Sequence, residues 1–381
     1  MALTGQEITV LGAGIGGLTA ALALARRGAR VRVLEQAEAL TEVGAGIQIA
    51  QNGMVILRAL GVFDDPPPAV CSQGVDLRDY RAGRLVMRLP PPAAGPTWYF
   101  HRADLIKTLA RAAQAAGVNI ELGQTAEAVS TVGGAACIHL ASGREMETPL
   151  LIAADGMRGP GRAAVAGDTI AEFSGQVAYR ALVPGQPGAP ERATLTMAPG
   201  RHAVTYPLRD GRVTNIVAFQ ERRDWTRDSW RDTIDAAEVR AIFADFGGSV
   251  GQLFQRIETA HIWALYLHPV ASQWHKGAIG LLGDAAHPTL PYMAQGACMA
   301  IEDAWVLADC LTNDGGFAAY QARRIERVRR VVAAAGANAW RFHARSPMRE
   351  IGQLGLTVAG RWLAPRYTWL YGHDVTSSPA L

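Results

Sequence analysis

VLGAGIGG at residues 10–17 closes a short apolar run, EITVL (7–11), and sets three glycines at the spacing Gly12-x-Gly14-x-x-Gly17. Apolar residues then recur at helical spacing through Ala25 until Gly28 supplies a stop, and RVRVLEQA (30–37) alternates as a second strand. Strand, glycine turn, helix and strand in so short a span make a βαβ unit. In such a unit Gly12 permits the tight turn, Gly14 lets the main chain approach a pyrophosphate, and Gly17 lets helix and strand pack closely. The helix N-terminus then faces the phosphates. Glu35, at the end of the second strand, is placed to accept a hydrogen bond from a ribose 2′-hydroxyl, and its charge would repel a 2′-phosphate. The stretch therefore predicts a Rossmann-like, dinucleotide-binding start to the chain.

The rest of the composition sets broad limits. The chain has 381 residues, 49% of them hydrophobic, enough for a sizeable core and two connected domains. Its 37 basic and 34 acidic residues leave a net charge of +3, which gives no reason to expect nucleic acid or acidic lipid as a partner. RRIERVRR (323–330) is the densest basic stretch and reads as a solvated helix face. The four cysteines form no Cys-x-x-Cys pair, pointing to a reducing, cytoplasmic setting. No signal-peptide pattern opens the chain, and no apolar run reaches membrane-spanning length, so no stable membrane association is expected. His261, His268 and His275 recur every seven residues, but Pro269 breaks any helix and no carboxylate set completes a metal site; no metal is expected.

Farther along, GVDLRDYRAGRLVMRL (74–89) reads as a hairpin turning at Ala82–Gly83, between proline-rich connectors. RADLIKTLARAAQAAG (102–117) reads as a helix capped by Asp104 or a neighbour, and LLIAADG (150–156) as a buried strand ending in Asp-Gly. Residues 173–271 are mainly strand, with one helical insertion near 231–246. GAIGLLGDAAH (277–287) is a strand running into a loop, followed by a helix from about 296 to 311.

Three stretches, GAGIGG (12–17), ADG (154–156) and GDAAHPTLPYMAQGACMAIEDA (283–304), stand in the order and at separations that resemble the single-component FAD-dependent aromatic hydroxylases, the group including salicylate, 3-hydroxybenzoate and 6-hydroxynicotinate monooxygenases. The third stretch is the most specific, and the resemblance spans nearly the whole chain. It implies an α/β fold: a Rossmann-like FAD-binding domain (1–71, 101–172 and 272–345), an interleaved, mainly β-sheet substrate domain (72–100 and 173–271) and a C-terminal helical segment (346–381). It implies bound FAD, NADH or NADPH as transient reductant, dioxygen, and hydroxylation of a small aromatic substrate through a flavin C4a-hydroperoxide. No second glycine fingerprint follows a strand, which suits a nicotinamide donor without a fold of its own.

The resemblance also implies site residues. Asp284 matches the aspartate at the FAD ribityl or pyrophosphate region, Arg102 the arginine at the flavin, and Asp155 the motif shared between FAD and NAD(P)H. Gln48 lies in the segment that crosses the flavin. Gly296 and Ala297 open a helix whose free N–H groups would face the flavin's pyrimidine edge. A phenol reacts best when deprotonated, so a base is sought. On a strand, His202, Val204 and Tyr206 of RHAVTYP (201–207) share one face, and relatives carry a similar His-x-x-x-Tyr, making His202 and Tyr206 the candidate catalytic pair. Gln295 resembles the pocket glutamine or its neighbours. Tyr179–Arg180 is placed at the pocket entrance, Arg180 either pairing with the scaffold or binding a substrate carboxylate. Residues 354–375 read as packing helices, with a homodimer contact as the alternative. A flavin oxidase or dehydrogenase, and a non-enzymatic FAD-binding sensor, remain rival readings.

Overall fold

The computed structural model of the chain describes residues 3–40, 45–167, 171–186, 188–223, 225, 232–359 and 367–377. The βαβ unit forms where the glycine spacing puts it. β1 (Glu7–Leu11) and β2 (Arg30–Leu34) pair in parallel, joined by α1 (Ile15–Ala25). β1 pairs on its other side with β12 (Leu150–Ala153), which pairs in parallel with β20 (Ile279–Leu281); β8 (Asn119–Glu121) and the short antiparallel β19 (His275–Lys276) form the edges. α1 is packed between α3 (Arg102–Ala115) and α7 (Gly296–Thr312), so it is apolar nearly all round rather than striped. α2 (Gln51–Ala59) and α8 (Gly316–Phe342) pack against α7, and α4 (Pro160–Ala166) against β20. A small meander of β9 (Ala126–Val132), β10 (Ala135–Leu140) and β11 (Glu145–Thr148) adjoins this layer.

The second large element is an eight-stranded sheet in the order β17 (Thr233–Ile234), β18 (Ala260–Leu267), β13 (Glu172–Pro184), β16 (Val213–Glu221), β15 (Arg201–Leu208), β14 (Ala193–Ala198), β5 (Val75–Asp79) and β6 (Leu85–Leu89). The hairpin at 74–89 therefore joins a strand, β14, more than a hundred residues later in the chain. One face of the sheet packs Tyr179, Ala203 and Ala218 against Phe243, Phe246 and Phe254, which come from α5 (Ala236–Ile242) and α6 (Gly248–Gln255) and the turns beside them. α6 is an addition to the single helical insertion that the sequence suggests. The opposite face is turned toward a three-stranded sheet of β3 (Gly46–Ile49), β7 (Trp98–His101) and β4 (Ala69–Cys71), the joint between the two layers.

At that joint the main chain of β3 meets side chains of the large sheet directly. A Cβ on Gly46 would sit 2.6 Å from Tyr206 Cε2 and 2.8 Å from Asn215 Cγ, and Gly46 N–H donates to Asn215 Oδ1 at 2.9 Å.

α9 (Met348–Ala359) packs on β6, and α10 (Thr368–Tyr371) follows; residues 360–366 of the expected C-terminal segment lie outside the described residues. Asp104 does not cap α3. The N-cap is His101 without a side-chain bond, and Asp104 instead takes both prongs of Arg209, at 2.8 and 2.9 Å. Among the described residues no helix is long and apolar enough to cross a membrane.

Candidate active site

The glycine loop has the stereochemistry its spacing suggests. Gly12 has φ +102°, and a Cβ there would lie 2.5 Å from the Ala154 carbonyl oxygen, so both conformation and space demand glycine. A Cβ on Gly17 would meet the Gly12 carbonyl oxygen at 2.0 Å, the close helix-to-turn packing of the third position. Gly14 differs: its Cβ would meet nothing within 4 Å, so its side of the loop is open. Gly14 is also the N-cap of α1, which has no side-chain cap and no acidic residue in its first turn. Unfilled N–H donors beside open space fit a pyrophosphate. Glu35 ties the loop down, accepting from Ala13 N–H at 2.7 Å and Ala37 N–H at 2.9 Å.

A second group gathers at the ends of β20 and β7. Asp284, just after β20, is reached by solvent although protein crowds around it. That crowding pushes its carboxyl above the ordinary range, against the opposing pull of His287 and Arg102. Arg102 and Asp284, remote in sequence, are thus electrostatic neighbours. α7, 17 residues long, starts at Gly296 and Ala297, again with no side-chain cap and no acid in its first turn. Its N-terminal donors are a second partial positive charge in the same layer.

Asp155 is held differently. Its Oδ2 accepts from Gly161 N–H at 2.7 Å at the start of α4, and a Cβ on Gly159 would come within 2.0 Å of its Cγ. Burial lifts its carboxyl to about 6.

Gln295, N-cap of α7, is buried and its Oε1 accepts from Asn52 Nδ2 at 2.9 Å. Among the described residues no hydrogen bond joins it to His202 or Tyr206, and its buried Nε2 donor has no partner. Asn52 leads into a buried ionic cluster that sequence reasoning missed. Glu302 of α7 accepts from Asn52 at 2.7 Å and from Arg327 at 2.7 Å, and pairs with Arg324 at 2.6 Å; Asp303 pairs with Arg324 at 2.8 Å and His287 at 2.5 Å. Asp303 Oδ2 also accepts from Gly283 N–H, the residue before Asp284. RRIERVRR is therefore not a wholly solvated face. Arg324 and Arg327 turn inward with Tyr320, Val328 and Val331, while Arg329 and Arg330 are exposed.

On the large sheet, His202, Val204 and Tyr206 do share the face turned toward β3. Cross-strand partners place Phe219, Val217 and Asn215 of β16 beside them. Tyr206 is buried, 5.0 Å from Tyr99 by ring centroids and hydrogen-bonded to Gln48 of β3; burial pushes its hydroxyl up, with Arg180 opposing. His202 stacks on Phe219 at 4.3 Å and lies 5.6 Å from the ring of Tyr292, in the loop before Gln295. Burial pushes its imidazole well below the usual range, so it is neutral. Strand alternation separates Tyr179 from Arg180: Tyr179 points to the Phe243 side and donates to Gln220, whereas Arg180 lies on the His202 face with its guanidinium over Trp263 at 4.6 Å.

Ligand atoms of Cys137, His139 and Glu145 come within 4.8 Å of one another on the small meander. Burial raises the Cys137 thiol, which keeps it protonated, and His139 already bonds Ser130 and Glu145, an arrangement that explains itself without a metal.

The model of the FAD binding domain family matches residues 6–335. The 3-hydroxybenzoate 6-hydroxylase of Polaromonas naphthalenivorans (strain CJ2) is 35% identical, the match covering 97% of this chain and 96% of that one. The 3-amino-4-hydroxybenzoate 2-monooxygenase PtmB3 of Streptomyces platensis is 32% identical over the same shares. A salicylate hydroxylase substrate complex superposes with a TM-score of 0.80 at 24% identity, covering 98% of this chain and 97% of that one. With an open, uncapped glycine loop at Gly14, a second uncapped helix at Gly296 and similarity over nearly its whole length, the chain belongs to the FAD binding domain family and is a flavoprotein aromatic hydroxylase, an FAD-dependent monooxygenase.

Proposed function

We propose that the protein uses NADH or NADPH to hydroxylate a small phenolic or hydroxylated heteroaromatic acid, held between Gln48 and the face of the large sheet that carries His202 and Tyr206. The observation that carries this reading is that face: a neutral, buried imidazole and a buried phenol on one strand, beside a strand of the cofactor layer. Residues 1–71, 101–172 and 272–345 hold FAD, and 72–100 with 173–271 hold the substrate. Gly12, Gly14 and Gly17 cradle the pyrophosphate, Glu35 meets the ribose, Asp284 and Arg102 the ribityl and flavin, and Gly296 and Ala297 the pyrimidine edge. Asp155 keeps α4 in place beside the nicotinamide path. Bound FAD supplies the redox chemistry, accepting hydride and passing the electrons to dioxygen.

The chain's own residues prepare the ring. His202 accepts the phenolic proton, and Tyr206, fixed by Gln48, orients the oxygen that loses it. Arg180, on the same face, takes the substrate carboxylate. Phe219, Val217 and Val204 keep water from the reacting carbon. The free thiols of all four cysteines agree with a reducing, cytoplasmic location.

The test is a screen of hydroxybenzoates and hydroxynicotinates for faster NADH or NADPH consumption, with product mass measured under ¹⁸O₂. One labelled oxygen atom per product is expected. Accelerated consumption without label in any product would identify an oxidase or dehydrogenase, and no acceleration by any compound would overturn the substrate class.

A further inference from the structure

His202 is sealed from solvent, 1% exposed, yet it is not isolated. Its Nδ1 lies 2.7 Å from Nε2 of His343, in the turn after α8, 141 residues later. His343, 3% exposed, has its other nitrogen, Nδ1, 3.2 Å from Oε1 of Glu221 at the end of β16. The Glu221 side chain is 38% exposed and meets Arg345, itself largely in solvent, at 2.7 Å. Four groups thus form an unbroken line from a buried imidazole to water. Phe219, Phe342 and Tyr292 wall its inner end, and the Tyr292 hydroxyl is turned to Gln176 rather than to either histidine. No hydrogen bond joins His202 Nε2 to another described residue.

The line has a direction. A carboxylate only accepts hydrogen bonds, so Glu221 requires a proton on His343 Nδ1. Neutral His343 then presents a lone pair at Nε2, which requires the proton of His202 to be on Nδ1. His202 Nε2 is left as a lone pair, the form a base needs. Glu221, at the surface, thereby dictates the tautomer of a histidine two residues further in.

We propose that His343 and Glu221 are positioning residues that fix His202 in its basic tautomer and carry the substrate's proton from it to solvent. The inference rests on the proposed role of His202 and adds a reason that role is workable. A buried imidazole disfavours its own cation and is by itself a weak base toward a phenol. Coupled to Glu221, it need not hold the charge. The phenolic O–H bond breaks as His202 Nε2 gains the proton; His202 Nδ1–H passes to His343 Nε2; His343 Nδ1–H passes to Glu221, which releases it to water. The net change is phenol and water to phenolate and hydronium, with both imidazoles left in their other tautomer until the protons run back along the line or the rings turn over.

The experiment uses the FAD-loaded protein with 3-hydroxybenzoate as the probe, following phenolate formation by rapid-mixing ultraviolet absorbance. His343→Ala should slow it at least about tenfold, and added imidazole should restore it, because a diffusible base fills the gap. Glu221→Gln, at the half-exposed end where folding is least at risk, should slow it in the same direction. Nitrogen-15 spectra of histidine-labelled wild type should show the proton of His202 on Nδ1. Wild-type rates in both variants alongside a slow His202→Ala would overturn the relay and leave the base in place. A proton on Nε2 of His202 would overturn the relay as well. A wild-type rate in His202→Ala would instead remove the base assignment itself.

Discussion

Arg324 Nε lies 2.8 Å from Asp303 Oδ1, with the side chains 1% and 0% exposed, so α7 and α8 are clamped by a pair of charges that water does not reach. The same Asp303 holds Gly283 N–H and His287, on the segment that carries Asp284. Among the described residues, removing Arg324 leaves Asp303 with His287 alone as ionic partner and Glu302 with Arg327 as its one guanidinium, and breaking such a buried pair costs about 3–5 kcal/mol. Arg324→Met should therefore lower the unfolding free energy by that amount, read by urea denaturation, and weaken FAD retention through the Gly283–Asp284 segment. An unchanged denaturation midpoint would show that the pair contributes nothing net.

The three fingerprint glycines should separate by experiment. Gly14→Ala adds a methyl that meets no protein atom, so the apoprotein should melt at the wild-type temperature while FAD affinity falls at least about tenfold, or 1.4 kcal/mol. Gly17→Ala, whose methyl would collide with the Gly12 carbonyl, should lose both stability and cofactor. Equal FAD affinity in Gly14→Ala and wild type, measured by flavin fluorescence titration, would remove the phosphate from that side of the loop.

Asp284→Ala should fold and bind FAD more weakly by roughly 10- to 100-fold, the worth of one or two hydrogen bonds to a charged group. The measurement is FAD affinity by equilibrium dialysis; wild-type affinity and flavin reduction rate together would return Asp284 to a turn residue.

His202→Ala and Tyr206→Phe should lower product formation more than NADH consumption, since hydride transfer does not need an ionised ring. A base is worth about 10²–10⁴-fold, so the ratio of product to NADH should drop steeply while hydrogen peroxide rises. Unaltered ratios in both variants would place the base elsewhere on the sheet.

Asp155 gives a pH prediction. Its folded-state carboxyl, lifted by burial to about 6 from an ordinary value of 3.8, prefers its proton in the folded chain. Its contribution to stability is fully present below about pH 4 and is lost as pH rises through 6. Asp155→Asn does not titrate, so relative to wild type it should gain about 1–3 kcal/mol between pH 4 and pH 7. A constant difference in unfolding free energy across that range would contradict the raised value.

The βαβ unit and its glycines were legible because their determinants are local: spacing, alternation and a stop at Gly28. The hairpin at 74–89 was legible for the same reason, but not the sheet it joins, whose neighbour β14 lies far along the chain. Asp104 was misread as a cap because its partner, Arg209, is 105 residues away. Arg324 and Arg327 carried a signal that went unused. They share a helical stripe with Tyr320, Val328 and Val331, and charges on an otherwise apolar stripe predict buried partners, here Glu302 and Asp303. Strand alternation alone separates Tyr179 from Arg180. The link from His202 to His343 had no local trace, since it depends on where a 27-residue helix happens to end.

Gly46 lets the main chain of β3 rest directly on the side chains of Tyr206 and Asn215, with no room for a Cβ between them. A joint of that kind has no compressible part. Its separation is set by the Tyr206 ring, the Asn215 carboxamide and the one hydrogen bond from Gly46 N–H to Asn215 Oδ1, so a change at either side chain shifts β3 against the sheet. On the proposed reading, exchanges at Val204 or Val217 on that sheet face would alter which ring is accepted, whereas any side chain at position 46 would push β3 off Tyr206 and Asn215.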